Sequence, residues 1–194
     1  MKLLRYFLFA LGVIIIDQVV KLLVHFNMAM GSAGEISVFG NWFKLHYILN
    51  RGMAFGLRFG FEYGKLSLTI FRLLAMIVIG YILYYLSKKN YHAGLLWSIA
   101  AILGGAVGNL IDSIFYGVLL DNAPYDVITP WFHGQVIDML YLNFWEGYVA
   151  DWVPIWGGSK MALLPIFNIA DVAIFCGVLT ILLFQKRFMR RTTH

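Results

Sequence analysis

Asn168 and Asp171 stand three residues apart at the entrance to a long apolar run, "PIFNIADVAIFCGVLTILLF", so one helical face carries both. Following Pro165, the pattern suits an N-terminal cap: Asn168 would satisfy free backbone N–H groups, and Asp171 would sit in the positive end of the helix dipole. The same spacing recurs as Asn109 and Asp112 in "GGAVGNLIDSIFYG". That helix should run the opposite way, which puts its acid near the C-terminal end, where the dipole disfavours it. Capping therefore accounts for the first pair and not the second. Two such pairs at one depth point to a shared polar site, and Gly104, Gly105 and Gly108 offer a smooth face for close helix approach. Asp17 and Lys21, four residues apart in another apolar run, either neutralise each other or shape that site.

The chemistry open to such residues is narrow. No HExxH motif is present, and His25, His46, His92, His133 and His194 show no metal-ligand spacing. There is no GxSxG, Ser159 and Lys160 are adjacent rather than spaced as a dyad, and no glycine-rich loop opens a helix to cradle phosphate. Carboxylates remain. Two acids held close together share a proton, so that one serves as base and the other as acid, and such a pair can activate water against an amide without a metal. No metal and no cofactor are expected.

The elements that must position these groups are membrane helices. Of the 194 residues 61% are hydrophobic and 13% charged, far from a soluble domain's balance. Four stretches are long and apolar enough to span a bilayer, at roughly 4–24, 68–86, 93–115 and 166–184. The net charge of +5 does not describe a nucleic-acid surface, because the basic residues gather at helix ends. Lys2 and Arg5, Lys88 and Lys89, and Lys186, Arg187, Arg190 and Arg191 mark three cytoplasmic sites, so both termini are expected inside. The first run is too long, and too polar at Asp17 and Lys21, for a cleaved signal peptide. Cys176, the single cysteine, lies within the last span and suits packing.

Segments 25–67 and 116–165 are then outside. "FGNWFKLHYILNRGMAFGLRFG" has short β-type runs between turns and predicts a small sheet at the membrane surface. The second segment holds all four prolines, Pro124, Pro130, Pro154 and Pro165, together with Trp131, Trp145, Trp152 and Trp156. Proline rules out a long helix there, and "YLNFWEGYVADWVPIW" suits an interfacial segment. The fold class expected is an all-α membrane protein, a four-transmembrane-helix bundle with a small extracytoplasmic β-sheet, forming one integral domain over residues 1–194.

Five motifs in order resemble those of lipoprotein signal peptidase, or signal peptidase II: "DQVVK" (Asp17 to Lys21), "NRGMAFG" (Asn50 to Gly56), "GGAVGNLID" (Gly104 to Asp112), "GQVIDML" (Gly134 to Leu140) and "FNIAD" (Phe167 to Asp171). The resemblance implies an aspartyl endopeptidase of the bacterial inner membrane. It would remove signal peptides from diacylglyceryl-modified prolipoproteins just before the lipidated cysteine. Asp138 and Asp171 would be its catalytic pair, supported by Asp17, Lys21, Asn50, Gly52, Asn109, Asp112 and Asn168. Its partners would be that lipidated substrate and membrane lipids, with no nucleic acid, and it would act as a monomer with its site near the outer face. Two departures stand out. Ser113 follows the "GNLID" aspartate where the family usually has Arg, which leaves the partner of Asp112 open. Residues 116–133 look inserted, which makes Asp121, nine positions after Asp112, a rival to Asp138. A competing class is a small proton- or cation-coupled transporter with intramembrane carboxylates, for which four spans are few and no internal repeat is visible.

Overall fold

The computed structural model describes residues 3–52, 64–125, 127, 129–148, 150–152, 157–158 and 160–188. Residues 53–56 of the "NRGMAFG" stretch, Pro154, Trp156, Ser159, the terminal basic residues Lys2, Arg190 and Arg191, and His194 lie outside them. Among these residues four helices are long and apolar enough to cross a membrane: α1 (Leu4–Asn27), α2 (Gly64–Lys88), a third that begins as α3 (Ala93–Ile111), and α5 (Ile169–Phe188). The third does not stop at Asp112. It widens into a π turn over Asp112–Tyr116 and ends as a short turn, α4 (Gly117–Leu119). Asp112 is therefore interior to a continuing helix rather than at its C-terminal end, and its charge is met by side chains instead of by a dipole.

Helix α3 is the most buried and touches α1, α2 and α5. Its glycines allow this, because added methyl groups would collide with neighbouring helices. At Gly104 a Cβ would lie 2.8 Å from the Ala10 carbonyl oxygen, and at Gly105 2.3 Å from that of Ala170. At Gly108 it would lie 2.6 Å from the Asp17 carboxylate. Near the basic end of the bundle the core is apolar, built from Tyr6, Ala10, Leu83, Leu96, Ile99, Ala100 and Leu103. The other end carries the strands and nearly all the buried charge.

There β1 (Ile36–Phe39), β2 (Phe43–Asn50) and β3 (Val136–Leu142) form an antiparallel sheet in that order. The sequence places a sheet within the first outer segment; in the structure the second segment supplies its third strand. The stretch read as interfacial finishes β3 and continues into a ribbon of β4 (Glu146–Tyr148) and β5 (Lys160–Ala162). A register shift between Leu45 and Ile48 matters for the site. Leu45 faces Leu140, whereas beyond the shift Ile48 faces Asp138 and Asn50 faces Val136. Continuing the first register would set Asn50 opposite Gln135 and turn it to the face away from Asp138, since strand side chains alternate. The bulge puts Asn50 and Asp138 on one face, two positions apart across the ladder.

Strand β3 is also tied to the start of α5. Leu140 and Phe167 exchange two backbone hydrogen bonds, of 2.7 and 3.0 Å. Asp138 and the "FNIAD" motif are thereby held side by side by main chain.

Candidate active site

Asn168 caps α5, as expected, and does more. Its Oδ1 accepts from the Asp171 N–H at 2.9 Å, while Asp171 Oδ2 accepts from the Asn168 N–H at 3.3 Å, a reciprocal cap. Its Nδ2 points the other way and donates to Asp138 Oδ1 at 2.7 Å and Asn109 Oδ1 at 3.1 Å. Capping and site-building are thus two ends of one amide.

Asn109 does the matching job on α3: its Nδ2 donates to Asp171 Oδ1 at 2.8 Å. From β2, Asn50 Nδ2 donates to Asp138 Oδ2 at 2.8 Å, and Asn50 Oδ1 accepts the Gly52 N–H at 2.7 Å in a tight turn. Gly52 has φ +91°, and a Cβ there would lie 2.3 Å from Leu68 Cδ2, so this turn needs glycine. Among the described residues, Asp138 and Asp171 therefore each receive two hydrogen bonds, all from neutral amides. Asp138 is 1% exposed, while Asp171 is only half-buried. Burial first, then the nearby Asp171 charge, raises the Asp138 carboxyl to about 7, against the lowering effect of its two amide donors and of Lys21.

The remaining expected residues form a second, sealed layer. Lys21 Nζ lies 2.8 Å from both Asp17 Oδ2 and Asp112 Oδ2, with all three side chains 0% exposed, and it donates to Asn109 Oδ1 at 3.0 Å. Lys21 is thus the partner of Asp112 that Ser113 left open. Asp17 also caps α5 from α1, accepting the Ala170 N–H at 2.8 Å. Asp112 Oδ2 accepts the Ile137 N–H at 3.3 Å and so pins the strand residue beside Asp138.

Of the two rival acids, Asp138 lies in this cluster. Asp121 sits exposed in a turn at φ +50° and belongs to no part of it.

Sequence reasoning missed Gln18. Its Nε2 bridges Asp17 Oδ2 (3.1 Å) and Asp112 Oδ1 (3.0 Å), and its Oε1 accepts from the Tyr116 hydroxyl at 2.8 Å. It lies between two singled-out residues in "DQVVK", and a polar amide in an apolar run was the signal available. Lys65, Thr69 and Arg72 on α2 were missed as well. Their spacing of four and three places them on one face of an otherwise apolar helix.

A family model described as signal peptidase (SPase) II matches residues 9–187. The chain is 53% identical over 186 residues to a lipoprotein signal peptidase of Amoebophilus asiaticus (strain 5a2), covering 95% of this chain and 79% of that protein. It is 32% identical over 187 residues to a lipoprotein signal peptidase of Chlorobium phaeobacteroides (strain BS1), covering 96% and 98%. A bacterial membrane enzyme solved by the in meso method at 2.3 Å superposes with a TM-score of 0.61 at 25% identity, covering 98% of this chain and 93% of that one.

Proposed function

This chain belongs to the signal peptidase II family of bacterial membrane peptidases, and from that premise we propose that Asp138 and Asp171 cut signal peptides from diacylglyceryl-modified prolipoproteins just before the lipidated cysteine. The observation that carries the aspartyl reading is the contrast in pairing. Among the described residues, the buried acids here are Asp17, Asp112 and Asp138, and the fully buried lysine, Lys21, is committed to Asp17 and Asp112. Asn168 bonds both Asp138 and Asp171, Asn109 bonds Asp171, and neither acid has a salt-bridge partner among the described residues.

Two adjacent acids of which one holds its proton to about pH 7 are equipped for general acid–base hydrolysis. Asp138, protonated, donates to the scissile carbonyl oxygen. Asp171, the carboxylate, takes a proton from water as the water oxygen bonds to the carbonyl carbon. In the resulting diol, the proton on Asp171 passes to the amide nitrogen as the C–N bond breaks, and a diol hydroxyl returns a proton to Asp138. The pair ends with the single proton it began with. Asn109 and Asn168 hold both carboxyl groups in register throughout.

The orientation proposed is both termini in the cytoplasm, with the sheet and site at the outer face. The lysines and arginines at helix ends support it, as does the aromatic rim on the sheet, where Trp42 stacks on Phe144 at 5.9 Å between ring centroids. Such rings suit the lipid headgroup boundary, where the acylated cysteine of a monomer's substrate would float. Labelling Ser32→Cys and Lys88→Cys in a Cys176→Ala background checks this. Ser32→Cys should react from outside, and outside labelling of Lys88→Cys would reject the topology.

The test of function is cleavage of a lipidated preprolipoprotein by the purified protein in detergent, with no added metal and no ion gradient. Processing is expected. An inert protein that moves protons or cations when reconstituted would support the transporter reading instead.

A further inference from the structure

One face of α2 carries Lys65, Thr69 and Arg72, and the chemistry above uses none of them. Thr69 is fully buried and satisfied, its hydroxyl lying 3.0 Å from the Lys65 carbonyl oxygen and 2.8 Å from that of Phe132. Arg72 donates from Nη1 to Ser113 Oγ at 2.7 Å. Its Nη2 flanks the Gly52 turn, where a Cβ would come within 3.3 Å of it. A guanidinium has about five N–H donors, and this one commits few of them to protein. Lys65 commits none. The residue is 9% exposed, and its Nζ is buried without a hydrogen-bond partner among the described residues. Both cations interact electrostatically with Asp112 and Asp138, and Arg72 also with Asp171.

An ammonium buried without an acceptor is expensive, and an apolar side chain of similar length would relieve that cost. A group kept under those terms is matched by something that arrives. What arrives has to present oxygen acceptors and no donors, because a lysine or arginine offers only N–H groups. A free anion would also meet the charge of the nearby acids. A carbonyl oxygen would not. An extended peptide drawn into a site at the membrane boundary loses water from its main-chain carbonyls, and those need new donors.

We propose that Lys65 and Arg72 form a donor clamp for main-chain carbonyl oxygens of the bound signal peptide, on the side of the carboxylate pair formed by α2. The proposal rests on the peptidase reading given above. Seven residues of helix separate the two Cα atoms by about 10 Å, close to the length of roughly three residues of extended chain. The clamp therefore suits two carbonyls of different residues, with Arg72 taking the one beside Ser113 and Gly52.

The experiment compares wild type with Lys65→Met, Arg72→Gln and Arg72→Lys. It measures kcat and KM on a lipidated preprolipoprotein, and thermal stability without substrate. Lys65→Met and Arg72→Gln should each raise KM roughly tenfold or more, the loss falling on KM more than on kcat. Arg72→Lys should recover part of the Arg72 effect. Lys65→Met should leave the substrate-free melting temperature unchanged or higher, because no hydrogen bond is lost and a buried ammonium is removed. An unchanged KM in Lys65→Met and Arg72→Gln would overturn the clamp while leaving the peptidase reading intact. So would a fall in melting temperature for Lys65→Met, which would give the lysine a structural partner. If the Arg72 variants do not fold, Lys65→Met decides alone. A wild-type enzyme that fails to cleave would remove the peptidase reading first, and the clamp with it.

Discussion

The pairs Asn109–Asp112 and Asn168–Asp171 share residue types and spacing, and they meet across two helices, yet their acids are placed under opposite conditions. Asp112 is 0% exposed and closed on every side, by the Lys21 ammonium, the Gln18 amide and the Ile137 N–H. Asp171 is half-buried and, among the described residues, receives only the Asn109 amide and the Asn168 N–H. The asparagines behave alike: each reaches over to an acid outside its own pair, Asn109 to Asp171 and Asn168 to Asp138. The lysine makes the difference. A local motif sets where a carboxylate sits, and a counter-ion from another helix decides whether it is tied to a cation or held by neutral amides.

Breaking the open pair should have the largest effect. Asp138→Asn and Asp171→Asn are each expected to lower the cleavage rate roughly a thousandfold or more, because neither amide can hold the shared proton. Asp121→Asn, in its exposed turn, should cleave at the wild-type rate. Rates on a lipidated substrate, with folding checked by thermal stability, decide this. Near-normal turnover of Asp171→Asn would reduce that residue to a helix cap.

Breaking the sealed pair should show up first as instability. Lys21→Met leaves Asp17 and Asp112 buried without their ion-pair partner, which costs roughly 3–5 kcal/mol. Asp112→Asn should cost less, since Lys21 keeps Asp17. Equal losses in the two variants, measured by thermal unfolding in detergent, would contradict the asymmetry described here.

Gly52→Ala probes the turn that aims Asn50 at Asp138. Its φ of +91° and the collision with Leu68 should cost about 1–3 kcal/mol and lower kcat. Asn50→Ala should lower kcat without the backbone penalty, so that stability separates the two.

The most gradual effect is that of pH. The Asp138 carboxyl is raised to about 7 in the folded protein, above its ordinary value, so the folded state holds a proton that the unfolded chain has released. Stability should therefore fall as pH rises from about 4 towards 7, then level off, and Asp138→Asn should flatten that slope. Cleavage should decline as pH rises through about 7 and the acid loses its proton. A rate still climbing well above that point would assign the proton elsewhere.

Much of this was legible in the residues alone. Four apolar runs, basic ends and paired Asn–Asp spacings are local properties, because helix length and side-chain face follow from chain geometry. Gly104, Gly105 and Gly108 likewise announced close packing before their neighbours were known. Spacing could not settle Asp138 against Asp121, since it counts residues and says nothing about an exposed left-handed turn.

The sequence by itself determined the membrane bundle and the types of side chain its polar end would contain. Only the tertiary structure decided which of them face one another. The register shift in β2 places Asn50 on the Asp138 face, and the Leu140–Phe167 backbone pair sets that strand beside α5. The Lys21 ammonium, reaching from α1 to α3, chooses which acid is neutralised. The physical reason is one of range. Periodicity and capping act within a few residues, whereas hydrogen bonds and ion pairs in a low-dielectric interior join residues far apart in the chain, and no local pattern encodes their geometry.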